Sequence, residues 1–443
     1  MRKPEHAPPF DPARLTADAQ KMLSILSGCG GATPMGKYVH WDKLKRMPPP
    51  EGLTHADWWA GVKFHRLNRT ATPLLDESGR SFTFTTPPPI QRLLHEVDQS
   101  CGALHLNDQI SNPSSRDRYV ISSLMEESIT SSQLEGASTT RQVAKEMIRT
   151  GREPRDDSER MILRNYRAMQ SIVAHCSSKL TIEQILDIHT MLEPDARLRT
   201  DTDNIRVEDR STHEVLHVPP AASSIRTSLD TLCEYANAPD KEHLDTFVHP
   251  VIKAIVVHFW IGYLHPFTDG NGRTARALFY WCMLNQGYWI AEFLSISRIM
   301  KAAPAQYATA YLYTESDDND LTYFIDYHLR VVMRARHDLE AYLLKKQAEI
   351  DYAKSLAQIA LTDLNHRQLA LLHNAISGKE TIYTFRAHMV SHNVVYETAR
   401  RDIQDLANKG LLVRVPSKKQ LAMFRSPRDL MDRIQRLSSP PNA

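Results

Sequence analysis

The chain has 443 residues, 42% of them hydrophobic and 24% charged, with a formal net charge of +2; this is an ordinary globular composition with room for two to four domains. No apolar run is long enough to span a bilayer, the best candidate being broken by His258 and Gly262, and Met1 to Phe10 lack the apolar core of a signal peptide, so membrane partners are not expected. The five cysteines (Cys29, Cys101, Cys176, Cys233, Cys282) are scattered and form no CxxC, which argues against a disulfide framework and a thiolate metal site and predicts a reducing, cytoplasmic setting.

In chain order, residues 1–87 form an irregular N-terminal region punctuated by "GCGGATPMG" and "RMPPPEG". "HWDKLKRM" and "THADWWAGVKFHRL" read as short helical pieces, and "RSFTFTTPPP" as a short strand stopped by prolines. The tryptophans Trp41, Trp58 and Trp59 predict that this region packs onto something, although its job is not legible. From 88 to 345 the spacing of apolar residues is helical in "PPIQRLLHEVDQSCGAL", "RDRYVISSLMEESIT", "SERMILRNYRAMQSIVAHC" and "TIEQILDIHTMLE". The exception is "IRVEDRSTHEVLHVPP", where β-branched runs flank a polar turn and predict a β-hairpin at about 205–218. Helices resume with "SSIRTSLDTLCEYA" and "PVIKAIVVHFWIGYL". A long charged helix near 321–358 leads into residues 346–443, which end in three helices and two short strands around a basic turn, the order of a winged helix. The fold class expected is therefore mainly α, a helical core with a small hairpin and a C-terminal winged helix.

Charge is unevenly spread. Residues 361–443 hold 13 Lys and Arg against 7 Asp and Glu, so DNA is a candidate partner at that end. Tyr396, Thr398, Arg400 and Arg401 would make the contacts, with Lys418 and Lys419 in the wing.

"HPFTDGNGRTAR", residues 265–276, separates two apolar helical runs. Pro266 ends the first helix, Gly270 and Gly272 allow a tight turn, and a second helix starts near Asn271. Its first N–H groups and the positive end of its dipole make an anion site. Arg273 and Arg276 lie one turn apart at that mouth and suit a polyphosphate. Asp269 supplies a hard oxygen for Mg²⁺, and His265 can act as a base near neutral pH. Two other metal readings are weaker: His249, His258 and His265 are not one helical turn apart, and the pair His337–Asp338 has no partner histidine at helical spacing.

"HPFTDGNGRTAR" resembles the active-site motif HPFx[DE]GNGRxxR of the Fic family at every fixed position. The resemblance covers about 90–340, the hairpin is placed like the family's target-docking flap, "SISRIMKAAPAQYATAYL" is similar to Fic sequence beyond the motif, and the N-terminal residues are similar to a leader on longer bacterial Fic proteins. It implies transfer of AMP from ATP to a Tyr, Thr or Ser hydroxyl of a target protein. His265 and Asn271 would be the catalytic residues, His265 as the base. Gly270, Asn271 and Gly272 would cradle the phosphates, Arg273 would bind the phosphate tail and Arg276 the γ-phosphate, and Asp269 would hold Mg²⁺. The flap would align the target by strand addition.

Upstream, "SSQLEG" resembles the family's inhibitory pattern [ST]xxxE[GN] through Ser131, Glu135 and Gly136, on a helix expected at about 117–136. In such a protein Glu135 would pair with Arg276 and deny it to the γ-phosphate. Removal of AMP, auto-modification and a homodimer are all compatible with this resemblance. So are two rival readings: transfer of another phosphate-containing group, and a DNA-binding regulator with a nucleotide-sensing Fic body.

Overall fold

A helix that is apolar all the way round must be buried, and residues 251–264 form one. In the computed structural model Pro250–Leu264 is that helix, opened by Pro250 behind His249, whose Nδ1 accepts the Val251 N–H at 3.2 Å. The structure describes residues 2–16, 18–102, 113–209, 212–238, 247–360, 364–376, 382–415, 422–427, 429–430 and 433–434. They form two units. One comprises Met1–Leu104, Glu126–Ser138 and Met161–Ala335; the other comprises His105–Met125, Thr139–Arg160 and Arg336–Ala443. Both are mainly helical.

In the first unit, Pro250–Leu264 packs along Asn271–Asn285, with Ile182–Leu192 and Ile225–Asn237 beside them. These two helices are capped as their sequences suggest or packed by apolar stripes: Thr181 and Gln184 form a reciprocal capping box at the start of Ile182–Leu192, and Leu229, Leu232 and Ala236 bury one face of Ile225–Asn237. The hairpin is present, with Val207–Glu208 paired antiparallel to Val215–His217; its residues 210 and 211 lie outside the described residues. A second hairpin pairs Thr70–Leu75 with Ser81–Phe84. The sequence reading found only its second strand, because Pro73 interrupts the first, and proline is tolerated only at an edge.

The N-terminal region is bolted to residues 313–323 of the same unit. Lys63, 3% exposed, places Nζ 2.6 Å from Asp317 and 2.8 Å from Asp318. Arg66 is fully buried and donates to the Tyr323 hydroxyl at 2.8 Å, which donates on to Asp317 at 2.7 Å. Its guanidinium lies 3.7 Å from the Tyr38 ring. His40 stacks on Tyr313 with ring centroids 4.2 Å apart, and burial pushes its pKa down to about 3. A neutral ring suits this place: Nδ1 accepts the Asp42 N–H at 3.1 Å, so Nε2 carries the proton and faces Ser316 Oγ at 3.2 Å.

In the second unit, helices His366–Ile376, Phe385–His392 and Tyr396–Asn408 enclose a core that includes Leu371, Leu372, Ile403, Leu406, Leu411 and Phe424. Asp402 is its polar hub, accepting from Arg367 at 2.6 Å and from Asn365 at 2.8 Å. Three strands close the unit in the order Tyr383–Thr384, Met423–Arg425, Val413–Val415. The first of these is too short for a period-two pattern to show in sequence. Helix Arg141–Thr150 belongs to this unit and packs on Phe385–His392. Val395, Tyr396, Arg400 and Arg401 are exposed and Thr398 is half-buried; Lys418 and Lys419 lie outside the described residues.

Removing one partner of a buried ion pair leaves the other charge stranded. Lys63→Met is expected to lower the unfolding free energy of the full chain by about 3 kcal/mol, read by urea denaturation, with a smaller loss for the exposed control Lys21→Met.

Candidate active site

The loop between the two central helices is built by backbone conformation. His265 closes the first helix in the left-handed region (φ 47°), its N–H bonded to Ile261 O at 3.0 Å. Gly270 opens the second helix at φ 78°, a conformation that glycine adopts without strain. A Cβ there would also meet His189 Cε1 at 3.1 Å and Glu193 Cβ at 3.3 Å. Asn271 is 3% exposed and holds the turn: its Oδ1 accepts the Phe267 N–H at 2.9 Å and its Nδ2 donates to Phe267 O at 2.8 Å. That amide is spent on the loop's own backbone, and what Asn271 offers an anion is its main-chain N–H. By helix geometry the N–H groups of Asn271, Gly272 and Arg273 have no intrahelical acceptor.

His265 has its Nδ1 3.0 Å from Gly262 O. A carbonyl only accepts, so Nδ1 carries the proton and the lone pair of the neutral ring lies on Nε2. Burial lowers the His265 pKa, partly offset by the Gly262 bond and by Glu135, while His217 and Arg199 lower it further. The ring is therefore a neutral acceptor near pH 7. Asp269 is exposed, and one carboxylate oxygen accepts the Gly270 N–H at 2.6 Å. Its other oxygen is the group here that would hold a hard cation.

Arg276 is 1% exposed and donates from Nε to Ser131 Oγ at 2.9 Å, from Nη2 to Ser131 O at 3.2 Å, and from Nη2 to Glu135 Oε1 at 2.7 Å. Ser131 lies in the last turn of helix Pro113–Leu134, Glu135 directly follows the helix, and Gly136 turns the chain away at φ 111°. The Glu135 carboxylate lies against the mouth of the second helix, since a Cβ on Gly272 would sit 2.2 Å from its Oε1. A negative oxygen thus already occupies the place where the dipole and N–H groups favour an anion. Arg273 is equally buried but turned aside, donating to Leu192 O at 3.1 Å and to Glu193 Oε2 at 2.9 Å. Two buried donors at this mouth, Arg273 Nε and Arg276 Nη1, have no partner among the described residues. That fits a site for a larger anion than one carboxylate.

Four residues here had no place in the motif reading. Glu127 is buried two turns before Glu135 and accepts from Ser295 Oγ at 3.1 Å and Ser297 N at 3.0 Å; burial raises its pKa despite those bonds. The i, i+4, i+8 spacing of Glu127, Ser131 and Glu135 was the available signal. His189 stacks on Phe267 at 3.5 Å and reaches Thr274 Oγ1 at 3.0 Å; burial, then Arg273, pushes its pKa down to about 4. Glu193, which holds Arg273, follows His189 by four residues, a spacing common in any helix. Arg199 was invisible because its partners are carbonyls. Among the described residues no cluster of three or more His, Cys, Asp or Glu is arranged for a metal ion, and no helix is long and apolar enough to cross a membrane.

Residues 179–283, which hold the loop, the hairpin and both central helices, match the family model described as Fic/DOC family. A protein adenylyltransferase Fic from Nematostella vectensis is 31% identical over 124 residues, 27% of this chain and 26% of that protein. Its counterpart in Drosophila melanogaster is 31% identical over 126 residues, 27% of this chain and 24% of that protein. The chain thus spans about a quarter of the length of these curated relatives. Among solved structures, a Fic family protein from Desulfovibrio desulfuricans G20 aligns over 78% of this chain and 97% of its own, at 17% identity and a TM-score of 0.48. A Fic domain containing signaling protein from Bacteroides thetaiotaomicron aligns over 55% and 93%, at 17% identity and a TM-score of 0.45. Residues 179–283, the part of the chain that carries this loop, are thus similar to the Fic/DOC family.

Proposed function

We propose that the chain is a protein adenylyltransferase that moves AMP from ATP to a protein hydroxyl and is held off by Glu135. The observation that carries this reading is the buried Arg276 guanidinium, shared between Ser131 and Glu135 with Nη1 lacking a partner among the described residues, at the N-terminal mouth of helix Asn271–Asn285. The curated relatives named above are protein adenylyltransferases by name, and this supports the class of reaction.

In this reading the main-chain N–H groups of Asn271, Gly272 and Arg273 hold the phosphates. Mg²⁺, bound through Asp269, would neutralise phosphate charge. The target hydroxyl gives its proton to His265 Nε2 as its oxygen attacks the α-phosphorus, and the bond to pyrophosphate breaks on the opposite side. The products are an AMP ester and pyrophosphate. Arg276 would clamp the γ-phosphate once Glu135 leaves, so carboxylate and triphosphate compete for one guanidinium. Strands Val207–Glu208 and Val215–His217 would present an extended edge to the target segment.

The deciding experiment incubates wild type, Glu135→Gly and Glu135→Gly/His265→Ala with Mg²⁺, cell lysate and ATP labelled at the α- or γ-phosphate. Label from α-labelled ATP is expected on protein with Glu135→Gly, at least tenfold weaker in wild type, and absent without His265, an order-of-magnitude expectation for losing a general base or a phosphate clamp. Label from γ-labelled ATP would replace this reading with phosphoryl transfer, and no label from either would remove it. The same Glu135→Gly protein should show an acidic limb of its pH–rate profile below the ordinary imidazole value of about 6.5. The base stays neutral until pH falls through its depressed pKa, and rate is lost only there. Gly272→Ala in the Glu135→Gly background puts a methyl where the anion must sit. It is expected to weaken ATP binding by about 1–3 kcal/mol, measured by calorimetric titration, with no gain in transfer.

A further inference from the structure

The helix that ends on the candidate base leaves four terminal carbonyls to be satisfied, and it points its negative dipole end at His265. Two cationic side chains answer this. Arg199 donates from Nε to His265 O at 2.7 Å and from Nη2 to Leu264 O at 3.1 Å, and the same Nη2 reaches Pro220 O, beyond the hairpin. His217, on the second hairpin strand and 9% exposed, sets Nε2 2.7 Å from Tyr263 O and Nδ1 2.8 Å from Glu315 Oε2. A carbonyl and a carboxylate both only accept, so both ring nitrogens donate and His217 is an imidazolium. Three successive carbonyls of the base's helix end, at 263, 264 and 265, are thus held by one side chain from the segment before the hairpin and one from its second strand. The backbone joins in: Arg199 N–H donates to Pro266 O at 2.9 Å and Thr268 N–H to Arg197 O at 3.0 Å. Arg199 has no carboxylate partner among the contacts described, although a buried guanidinium ordinarily takes one.

We propose that Arg199 and His217 are positioning residues that lock the His265 backbone in its left-handed turn and couple it to the hairpin, so that docking of a target on the hairpin and placement of the base are one event. Glu315, the last residue of helix Pro304–Glu315, is the anchor of that coupling, because it holds His217 in the charged, doubly donating state. Burial is the largest single effect and works against that charge, but Glu315, the Tyr263 carbonyl and the charge of Glu77 together outweigh it, so the His217 pKa is raised. The coupling is therefore complete at low pH and weakens as pH rises through that raised value. The groups whose charge reaches His265 are His217 and Arg199, which favour its neutral ring, and Glu135, which opposes them. The proposal rests on His265 being the base for adenylyl transfer, but its first test does not depend on that activity.

The test uses the full chain carrying Arg199→Gln, His217→Gln or Glu315→Gln, with histidine labelled at ring ¹³Cε1 and the His265 signal assigned by its loss in His265→Ala. In a variant whose thermal unfolding is still cooperative, the His265 titration is expected to move to higher pH, and amides of residues 212–218 to exchange faster. Should Arg199→Gln fail to fold, His217→Gln and Glu315→Gln carry the test, since both keep a side chain that can hydrogen-bond. In the Glu135→Gly background, label transfer should fall about tenfold or more, the scale of a misplaced catalytic group, while KM for ATP stays within about twofold. Arg199→Lys should recover part of the rate, since one ammonium reaches one carbonyl. A His265 titration and hairpin exchange identical to wild type in folded variants would overturn the proposal. So would KM for ATP rising in step with the loss of rate, which would place both residues in support of the phosphate cradle instead. If the Glu135→Gly parent transfers no label, adenylylation fails, while the titration and exchange still decide the coupling.

Discussion

A guanidinium buried to 1% exposure cannot be left without acceptors, and Arg276 is the point on which the site turns. It lies one turn into the second central helix, where the dipole is positive, so the local field favours negative partners. Ser131 and Glu135 supply them from an upstream helix. The proposed competition with a triphosphate needs no separate regulatory domain, because the inhibitor and the ligand are both oxygen anions seeking the same donors. Arg273 Nε and Arg276 Nη1 have no partner within hydrogen-bond geometry among the described residues, so one carboxylate does not exhaust the mouth.

The rest of the first unit reads as support for that mouth. His189 and Glu193 pack against Gly270, and Asn271 closes the turn onto Phe267. Arg199 and His217 cap the helix on the other side. Every one of these contacts fixes backbone, which suits chemistry that depends on positioning and preorganised charge. The N-terminal region, whose job the sequence did not disclose, ties by buried ion pairs to residues 313–323. That segment includes Glu315, so the same stretch of chain anchors the leader and, through His217, the hairpin.

The chain itself determined a good deal. Helical periodicity marked the long helices, because a 3.6-residue repeat of apolar groups is a local property that survives without knowledge of partners. Pro266, Gly270 and the polar run around them announced a turn feeding a helix N-terminus. Ser131 and Glu135, four apart, could be assigned to one helix face. Tertiary structure decided everything that depends on which groups meet. The Asn271 amide closes the loop through two bonds to the Phe267 backbone, a pairing its place in the motif did not disclose. Arg273 and Arg276 are equivalent in sequence, yet only the fold gives one to Glu193 and the other to Glu135. Arg199 left no trace at all, since a side chain that binds main-chain carbonyls needs no particular residue type opposite it. Local patterns record backbone conformation and burial; pairings across 66 residues, as between Arg199 and His265, exist only once the chain has folded.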